Sequence, residues 1–542
     1  MTDYDIIVVG GGSAGSAVAG RLAENPNLRV CVLEAGGTNR NMAVETPGML
    51  PFISKKSNWQ FETVPQKGLN GRRGYQPRGR GLGGTSAINA MLYVRGNPWD
   101  YDHWASLGCE GWSWSEVLPY FRKSEGNERG ADALHGADGP LSVVDQRWVN
   151  PASRAFLESA AALQLPTNDD FNGPRQEGFG LYQVTQRRGE RWTAARAYLA
   201  SRKNLDIRTD SPAERILFEG GRATGVVIRH AGQQETLRAR QGVVLSGGAF
   251  ASPQLLMLSG IGPAEHLRKL GIDVKVDLPA VGTNLQDHTD YVGTWSTQSK
   301  ELVGDSLQGL VRMAGGVLRH RLNRTGIMTT PYSEAGGFWT SSSDEPAPDI
   351  QFHFFPVIIE NGGRTRVPGH GFSCHACILR PFSRGTVQLA SADPAAAPLI
   401  DPNLLGDDRD IVMLRRGVKL MEQIVAAGPL TKFAPTNLHP VDINDDNEID
   451  SIIRARADTV YHPAGTCRMG SDPESVVDPT LAVRGVERLW IADASIMPRL
   501  ISGNTNAPSI MIGERCAAFV GQTVAGKAHD EVAIQTDALS VC

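Results

Sequence analysis

The residues near the start of the chain have the types and spacing of a phosphate-binding turn. An apolar run over residues 4–9 leads directly into Gly10, Gly12 and Gly15, which are spaced Gly-x-Gly-x-x-Gly. In this motif the first glycine permits a tight turn, the second admits a pyrophosphate close to the backbone, and the third lets a helix pack on the strand. A helix predicted over residues 16–24 would offer free N–H groups and its positive dipole end to the phosphates.

A carboxylate at the expected distance supports a dinucleotide-binding turn. A second apolar run, residues 29–33, ends in Glu34, which can accept hydrogen bonds from an adenosine ribose. The motif alone does not distinguish FAD from NAD. Its position at the start of the chain, and the Ala35-Gly36-Gly37 that follows, favour FAD. A glycine-rich structural turn is the alternative interpretation.

The composition is typical of a globular protein with more than one domain. The chain has 542 residues, whereas single hydrophobic cores stop growing near roughly 250–300 residues. Its 54 basic and 58 acidic side chains give a net charge of −4. This balance argues against a nucleic-acid-binding protein, because such proteins usually carry a basic face.

Cysteine usage favours a cytoplasmic protein without a metal site. The seven cysteines suggest no disulfide framework, and no secretory signal precedes the first predicted strand. Cys374 and Cys377 are spaced C-x-x-C in an apolar stretch without a second pair nearby, so we expect buried free thiols. The longest uncharged stretch, residues 243–264, contains glycines and a proline, and we interpret it as strand, loop and helix rather than a membrane span.

Two kinds of sequence pattern alternate along the chain, and their alternation predicts a discontinuous first domain. Glycine turns and apolar strands typical of a cofactor domain occur in residues 1–150, 204–290 and 461–524. Residues 291–460, with a contribution from residues 151–203, contain more strand-like runs and predict an antiparallel sheet. The predicted fold is α/β, or α+β overall: a Rossmann-like cofactor domain with an inserted substrate domain built on that antiparallel sheet. Residues 525–542 lack an apolar pattern, which predicts a mobile tail.

Three further stretches carry a resemblance to a known family. They are the glycine-rich loop of residues 78–95, residues 248–262, and residues 461–470 together with residues 504–508. In this order, and over nearly the whole chain, they resemble the glucose–methanol–choline (GMC) oxidoreductases, which are FAD enzymes that act on alcohols. Within that family the chain looks most like bacterial choline dehydrogenases and FAD-dependent aliphatic primary-alcohol dehydrogenases.

The resemblance implies that FAD binds at the first glycine turn, at the second glycine loop and beside two later segments. The implied cofactor-binding residues are Gly10, Gly12, Ser13, Ala14, Gly15, Glu34, Ala35, Trp59, Arg78, Gly83, Gly84, Ser86, Asn89, Ala90, Met91, Asp493, Ala494, Asn504 and Ala507. Some relatives hold FAD covalently through a histidine immediately before the asparagine of the glycine loop. Ile88 precedes Asn89 here and offers no nucleophile, so we predict non-covalent FAD.

The resemblance also implies a catalytic pair, His462 and Asn506. Oxidation of an alcohol removes a hydroxyl proton and a hydride; a flavin accepts the hydride, and the protein must accept the proton. An imidazole suits this role because its unperturbed pKa is about 6.5. His462 would act as the base, and Asn506 would hydrogen-bond the substrate oxygen. The alternative for His462 is a structural histidine beside a proline.

Two more side chains are candidates for the substrate cavity, Glu334 and His353. Relatives carry acidic and histidine residues at similar places, and in choline enzymes the acid can meet a cationic head group. A buried hydrogen bond or ion pair is the alternative for Glu334, and core packing is the alternative for His353. We interpret Asp287 and His288 as a structural turn and not as a catalytic dyad.

Together these observations predict FAD-dependent oxidation of a primary alcohol to an aldehyde, with electrons passed to a quinone-like acceptor. An alcohol oxidase that uses oxygen is one alternative, because the same loop and catalytic pair serve both. A family lyase in which FAD is structural is another. The sequence does not distinguish aliphatic, aromatic, sugar, polyol and choline-like alcohols, and it does not indicate the oligomeric state.

One stretch bears on the electron acceptor. Leu307, Leu310, Val311, Ala314, Val317 and Leu318 recur at helical spacing, with Arg312, Arg319, Arg321 and Arg324 nearby. A basic amphipathic helix of this kind can contact a membrane surface, where a quinone is dissolved. Peripheral contact with the inner face of a membrane is therefore one expectation, and a helix packed on its own domain is the alternative.

Overall fold

Two β-sheets provide the framework for the predicted site. The computed structural model describes the backbone of residues 3–539 and the side chains of residues 3–525. The first sheet takes its strands from three separate parts of the chain, and the second sheet lies mostly between the last two of them. This arrangement confirms the predicted fold class, a Rossmann-like domain with an inserted antiparallel domain.

The first sheet has seven strands and is parallel at its centre. Its spatial order is Leu205–Arg208, Val30–Leu33, Asp3–Val9, Gln233–Leu245, Arg222–His230 and Ala213–Glu219. The seventh strand, Leu489–Ile491, pairs in parallel with the end of Gln233–Leu245. The central parallel strands Val30–Leu33 and Leu489–Ile491 are apolar and fully buried, whereas the edge strand Leu205–Arg208 is partly exposed and contains two charged residues.

Glycines allow the first helix, Ser13–Leu22, to pack tightly against this sheet. Gly10 has a φ of +108°, and a Cβ at this position would overlap the carbonyl oxygen of Ser246. A Cβ on Gly15 would overlap the carbonyl oxygen of Gly10. Because only glycine fits both positions, the chain forms the strand–turn–helix unit that the sequence predicts.

The second sheet has eight strands, and every pairing in it is antiparallel. Its spatial order is Thr436–Asn437, Thr289–Thr297, Gly369–Ile378, Ile350–Phe355, Ala335–Trp339 and Gly178–Leu181, with Gly304–Asp305 and Asp458–Thr459 as short additions. The amphipathic helix Asp408–Ala426 buries Ile411, Leu414, Val418 and Met421 in the core of this domain.

Shorter strands form five two-stranded pairs. These are Ile261–Gly262 with Val276–Asp277, Thr386–Gln388 with Leu399–Asp401, Phe61–Glu62 with Tyr75–Gln76, Glu125–Asn127 with Leu141–Val143, and Gln186–Arg187 with Glu190–Arg191. The remaining α-helices are Met42–Glu45, Pro98–Ser106, Trp114–Ser124, Pro151–Ala162, Ala194–Tyr198, Gly248–Leu258, Ala264–Lys269, Leu307–Asn323, Asp446–Arg456 and Asn506–Leu539. Single 3-10 turns occur at Pro47–Phe52, Lys55–Ser57, Lys67–Leu69, Gly84–Ala87, Ile327–Thr329, Asn361–Gly363, Gly428–Phe433 and Ala494–Ile496.

The last helix, Asn506–Leu539, packs against the first helix and brings its own N-terminus to the first glycine turn. A Cβ on Gly513 would overlap the carbonyl oxygen of Ala14, so the two helices meet at a glycine. The backbone of residues 525–539, part of the segment predicted to be a mobile tail, continues this helix. Residues 540–542, and the side chains from residue 526 onward, lie outside the described residues.

Two further predictions can be compared with the fold. Cys374 and Cys377 are buried free thiols on the strand Gly369–Ile378, as predicted. The amphipathic stretch beginning at Leu307 forms the helix Leu307–Asn323. Among the residues that the structure describes, no helix is both long and apolar enough to cross a bilayer.

Candidate active site

A cavity of about 2200 Å³ lies where the loops of the first sheet meet the second sheet. Most of the predicted site residues line it. These are Gly10, Gly12, Ser13, Ala14, Glu34, Ala35, Trp59, Arg78, Gly84, Asn89, Ala90, Met91, His353, His462, Asp493, Ala494, Asn504 and Asn506. The fold therefore brings together residues that are up to about 500 positions apart in sequence.

Four of the predicted cofactor residues lie behind the cavity wall. Gly15 contacts the turn at Gly10, and Gly83 donates its N–H to the carbonyl of Gly11 at 2.8 Å. Ser86 donates its hydroxyl to Gly83 O and accepts the N–H of Ala194 at 3.1 Å. Ala507 is buried in the first turn of the last helix. These residues hold the shape of the wall and do not face the cavity.

The two glycine-rich loops cross at Gly12 and Gly84, and the crossing leaves room for a flat ligand. A Cβ on Gly84 would lie 2.7 Å from the Cα of Gly12, whereas a Cβ on Gly12 would have its nearest neighbour at 3.9 Å. The loops thus touch through backbone alone, with the N-terminus of helix Ser13–Leu22 facing the cavity. This geometry fits a dinucleotide whose pyrophosphate lies at the helix N-terminus.

Glu34 holds three backbone segments together at the rim of the first sheet. One carboxylate oxygen accepts the N–H of Gly11 at 2.9 Å, and the other accepts those of Gly36 and Gly81 at 3.0 and 2.9 Å. Burial raises the pKa of this carboxyl, and the three N–H donors oppose that rise. The sequence predicts only a ribose acceptor here; the side chain also ties the first glycine turn to the second glycine loop.

Asp493 has a similar role at the end of the strand Leu489–Ile491. It accepts the N–H of Gly248 at 2.8 Å, the hydroxyl of Ser252 at 2.6 Å and the N–H of Ser495 at 2.8 Å. It therefore fixes the start of helix Gly248–Leu258 beside the cavity wall.

The backbone around His462 is held by the buried Asp287 and the half-buried Arg78. Asp287 accepts the N–H of His462 at 2.8 Å and the hydroxyl of Thr459 at 2.5 Å. Arg78 donates to the carbonyl of Tyr461 at 2.6 Å, and Tyr461 has a left-handed φ of +72°. Burial lowers the pKa of Arg78 to about 10, so this guanidinium stays charged at neutral pH. Strain at Tyr461 is typical of a residue that positions a functional side chain.

The ring of His462 is held by a second histidine, His288. Their Nδ1 atoms are 3.0 Å apart, and Nε2 of His288 is 3.1 Å from the carbonyl oxygen of Ile501. A carbonyl oxygen only accepts, so Nε2–H of His288 donates to it. Nδ1 of neutral His288 is then an acceptor, and Nδ1–H of His462 donates to it. Nε2 of His462 consequently carries the lone pair of a base.

Burial keeps both imidazoles neutral. It lowers the pKa of His288 to about 3, and it lowers the pKa of His462 well below its usual value, with the neighbouring His288, His353 and Arg78 adding to the effect. A neutral His462 is the form that can accept a proton. The sequence-based interpretation of Asp287 and His288 as a structural turn is thus incomplete, because one holds the backbone of His462 and the other its ring.

The two candidate asparagines have different hydrogen-bond partners. Asn504, predicted to bind the cofactor, has its Nδ2 3.2 Å from Nε2 of His462. Gln351 donates to Oδ1 of Asn504 at 3.1 Å, which turns the amide N–H₂ toward His462. Asn506, predicted to pair with His462, accepts the hydroxyl of Ser13 at 2.7 Å through its Oδ1. Both asparagines line the cavity.

His353 lines the cavity next to an acid and a histidine that the sequence does not single out. Its ring stacks on Tyr182 with centroids 5.7 Å apart, and burial lowers its pKa well below the usual value. His375, opposite His353 in the strand register, lies 2.6 Å from Asp290 through its Nδ1. The sequence signal for this pair is that both histidines lie in predicted strands, Ile350–Phe355 and Gly369–Ile378. Once these strands pair, the two side chains point to the same side of the sheet.

Glu334 does not line the cavity, which corrects the prediction that it contacts substrate. Its side chain is fully buried and accepts the N–H of Asn150 and the hydroxyls of Ser153 and Thr330, each at 2.7 Å. Burial raises its pKa to about 7. These three donors explain its presence: Glu334 joins the start of helix Pro151–Ala162 to the loop before Ala335–Trp339.

Family models match the parts of the chain that contain both glycine loops and His462. A model described as GMC oxidoreductase, for the N-terminal part of such proteins, matches residues 4–290, and its C-terminal counterpart matches residues 381–513. The chain is a member of the GMC oxidoreductase family. Membership makes it an FAD-dependent flavoenzyme, and the crossed glycine loops are the part of the cavity that fits this cofactor.

Individual proteins resemble the chain over nearly all of its length. An alcohol dehydrogenase [acceptor] from Pseudomonas putida is 44% identical over 530 residues, covering 96% of both chains. The mitochondrial choline dehydrogenase of Homo sapiens is 45% identical over 534 residues, covering 96% of this chain and 90% of that protein. The crystal structure of pyridoxine 4-oxidase from Mesorbium loti superposes with a TM-score of 0.85 at 32% identity, covering 95% of this chain and 98% of that one.

The prediction that FAD is bound non-covalently can be tested by acid precipitation. Ile88 lines the cavity at the position before Asn89, and an aliphatic side chain cannot form a bond to the flavin. Precipitation of the yellow holoenzyme with acid should therefore release all the flavin into the supernatant. Flavin that stays with the precipitate would contradict the prediction, and the Ile88→His variant serves as the comparison.

A second prediction concerns the hydrogen bond from His462 to His288. His288→Leu removes the acceptor at Nδ1, whereas His288→Asn places an amide oxygen at nearly the same position. We expect the leucine variant to reduce flavin about 10–100-fold more slowly with alcohol, an effect usual for lost orienting partners, and the asparagine variant to recover most of the rate. Stopped-flow flavin reduction with alcohol in excess measures this. Equal losses in both variants would mean that His288 has only a packing role.

Proposed function

We propose that this GMC oxidoreductase oxidises a primary alcohol to an aldehyde and passes the electrons to a quinone-like acceptor. The observation that supports this proposal is His462, whose basic Nε2 faces the cavity that the glycine loops form. FAD, when bound, accepts the hydride from the alcohol carbon. The overall reaction is balanced as alcohol plus quinone giving aldehyde plus hydroquinone, with two electrons and two protons transferred.

The protein's own part in this reaction is to hold the alcohol and to accept its proton. The alcohol hydroxyl would replace Asn504 at Nε2 of His462 and donate its hydrogen there. The released amide of Asn504, or that of Asn506, can then donate to the alcohol oxygen as negative charge develops on it. The imidazolium formed at His462 is held by its Nδ1–H donation to His288.

The carboxylates on the cavity wall do not select between an uncharged alcohol and a choline-like cation. Glu360 pairs with Arg456 at 2.9 Å and with His439 at 3.0 Å. Asp290 lies 2.6 Å from His375 through Oδ2, but its buried Oδ1 has no hydrogen-bond partner among the described residues. An alcohol dehydrogenase [acceptor] and a choline dehydrogenase are both among the relatives, so the substrate panel includes both kinds of alcohol.

The direct test is anaerobic bleaching of the flavin by a panel of alcohols. At least one primary alcohol of the panel, which includes short and long aliphatic alcohols and choline, should bleach it. His462→Ala should lower the rate of bleaching by about 10²–10⁴-fold, the usual contribution of a general base. His103→Ala, at a histidine outside the cavity that stacks on Trp99, is the matched control and should retain the rate. If no alcohol bleaches the flavin, the lyase alternative with a structural FAD is favoured.

The acceptor is tested in the same cuvette. After reduction by alcohol, a water-soluble quinone should restore the flavin absorbance much faster than air-saturated buffer does. The relative whose structure is titled pyridoxine 4-oxidase keeps the oxidase alternative open. Reoxidation by oxygen at the rate of turnover, with formation of peroxide, would replace the dehydrogenase proposal with that alternative.

A further inference from the structure

We propose that the helix Leu307–Asn323 docks this protein on an anionic lipid bilayer, with the mouth of the cavity facing the lipid. The docking face consists of the outward side of this helix and the adjoining turn Pro47–Phe52. The partner that this face would contact is the apolar layer of a bilayer beneath its anionic headgroups.

The outward side of the helix carries an unusual row of exposed apolar side chains. Leu307 is 82% exposed, Val311 67%, Leu318 62% and Leu322 72%, and these positions lie on one side of the helix. Leu310, beside this row, is 63% exposed. An amphipathic helix in a globular protein normally turns such a row toward the core, so this face is incomplete in the isolated chain.

The helix packs on its own domain through its small residues instead. A Cβ on Gly309 would overlap the carbonyl of Gly304, and a Cβ on Gly316 would lie 2.6 Å from a side-chain methyl of Ile327. His320 is buried with Nε2 2.9 Å from the carbonyl oxygen of Gly189. The buried residues of this helix are therefore glycines and a histidine, and its leucines are exposed to solvent.

The charge on this face is positive although the whole chain carries −4. The helix contains Arg312, Arg319 and Arg321 and no acidic residue. Arg312 binds only backbone carbonyls, and in the part of the chain that the structure describes Arg319 and Arg321 form no ion pair. Exposed Lys55 and Lys56 follow the turn Pro47–Phe52, also without ion pairs among the described side chains. Leucines flanked by unpaired cations match the headgroup and acyl layers of an anionic bilayer.

The cavity reaches this face. Leu50, Phe52, Leu310 and Met313 line it, and Phe52 and Leu310 are 62% and 63% exposed. The turn Pro47–Phe52 and the helix both pack against the turn at residues 327–329, so the two elements that form the docking face are fixed to each other. A docked protein would thus receive lipid-dissolved alcohol or quinone directly, a consequence that rests on the proposed function, whereas docking itself does not.

Co-sedimentation of the holoenzyme with sucrose-loaded vesicles tests docking. The vesicles contain either phosphatidylcholine alone or phosphatidylcholine with 30% phosphatidylglycerol, at low ionic strength. The test variant is Val311→Ser/Leu318→Ser/Leu322→Ser, none of which lines the cavity. The matched control is Leu107→Ser/Leu163→Ser/Val412→Ser, three exposed apolar residues elsewhere on the protein. Flavin content and bleaching by a water-soluble alcohol verify that both triple variants are folded.

We expect the wild type and the control to bind the anionic vesicles, and the test variant to bind them about tenfold or more weakly. Arg319→Glu/Arg321→Glu should weaken binding at low salt and have little effect at high salt. Failure of the wild type to bind anionic vesicles overturns the proposal, as does binding that survives the test variant. A dimer in lipid-free solution that the test variant dissociates would also overturn it, since the face would then be occupied by a second copy.

An environment-sensitive label gives an independent measurement. The six cysteines in the described residues are all buried, so in a Cys542→Ser background a Leu318→Cys variant can be labelled selectively with a nitrobenzoxadiazole dye. Its emission should shift to the blue and be quenched by lipid-embedded quenchers when anionic vesicles are added. An unchanged spectrum with co-sedimenting protein would place the contact elsewhere.

The rate of flavin reoxidation by two quinones distinguishes a failure of docking from a failure of the proposed function. The alcohol-reduced enzyme is reoxidised either by a short-tailed quinone in water or by a long-tailed quinone held in the vesicles. The test variant should be slowed only with the vesicle-held quinone. If neither quinone reoxidises the enzyme while vesicle binding persists, the acceptor proposed above fails and docking stands.

Discussion

The hydrogen bond between the Nδ1 atoms of His288 and His462 is the contact on which the proposed chemistry depends. Because Nε2–H of His288 donates to the carbonyl of Ile501, its Nδ1 must accept the Nδ1–H of His462. Nε2 of His462 is then the basic nitrogen, and it is directed into the cavity. Burial keeps both rings neutral. Asp287 and the strained Tyr461 place the backbone from which this ring projects.

The two sheets have separate tasks around this histidine. The first sheet, through Gly10, Gly84, Glu34 and Asp493, shapes a wall of backbone that fits a dinucleotide. The antiparallel sheet contributes side chains to the cavity wall, including that of His353. His462 lines the same cavity as both sets of residues.

The sequence predicts the parts of this arrangement that depend on local backbone geometry. Glycine spacing predicts the Gly10–Gly15 turn. The alternation of glycine-rich and strand-like sequence patterns predicts the discontinuous first domain and the inserted antiparallel domain. Contacts between distant side chains are harder to predict. No pattern around Glu334 reveals that three donors bury it, and nothing near Asn504 indicates that Gln351 turns its amide toward His462. The sequence indicates only a turn at His288, because the partner of its ring, His462, is 174 positions away.

The protonation state of His462 is the measurement that tests this account most directly. Nitrogen NMR of histidine-labelled holoenzyme, with His462→Gln and His288→Asn spectra used for assignment, reports which ring nitrogen carries hydrogen. Because burial lowers the pKa of His462, the neutral and active form should persist as the pH falls through 6.5, the ordinary value. We predict a neutral ring protonated at Nδ1 from pH 8 down to about pH 6. An imidazolium at pH 7, or a neutral ring protonated at Nε2, would contradict the assignment of this histidine as the base.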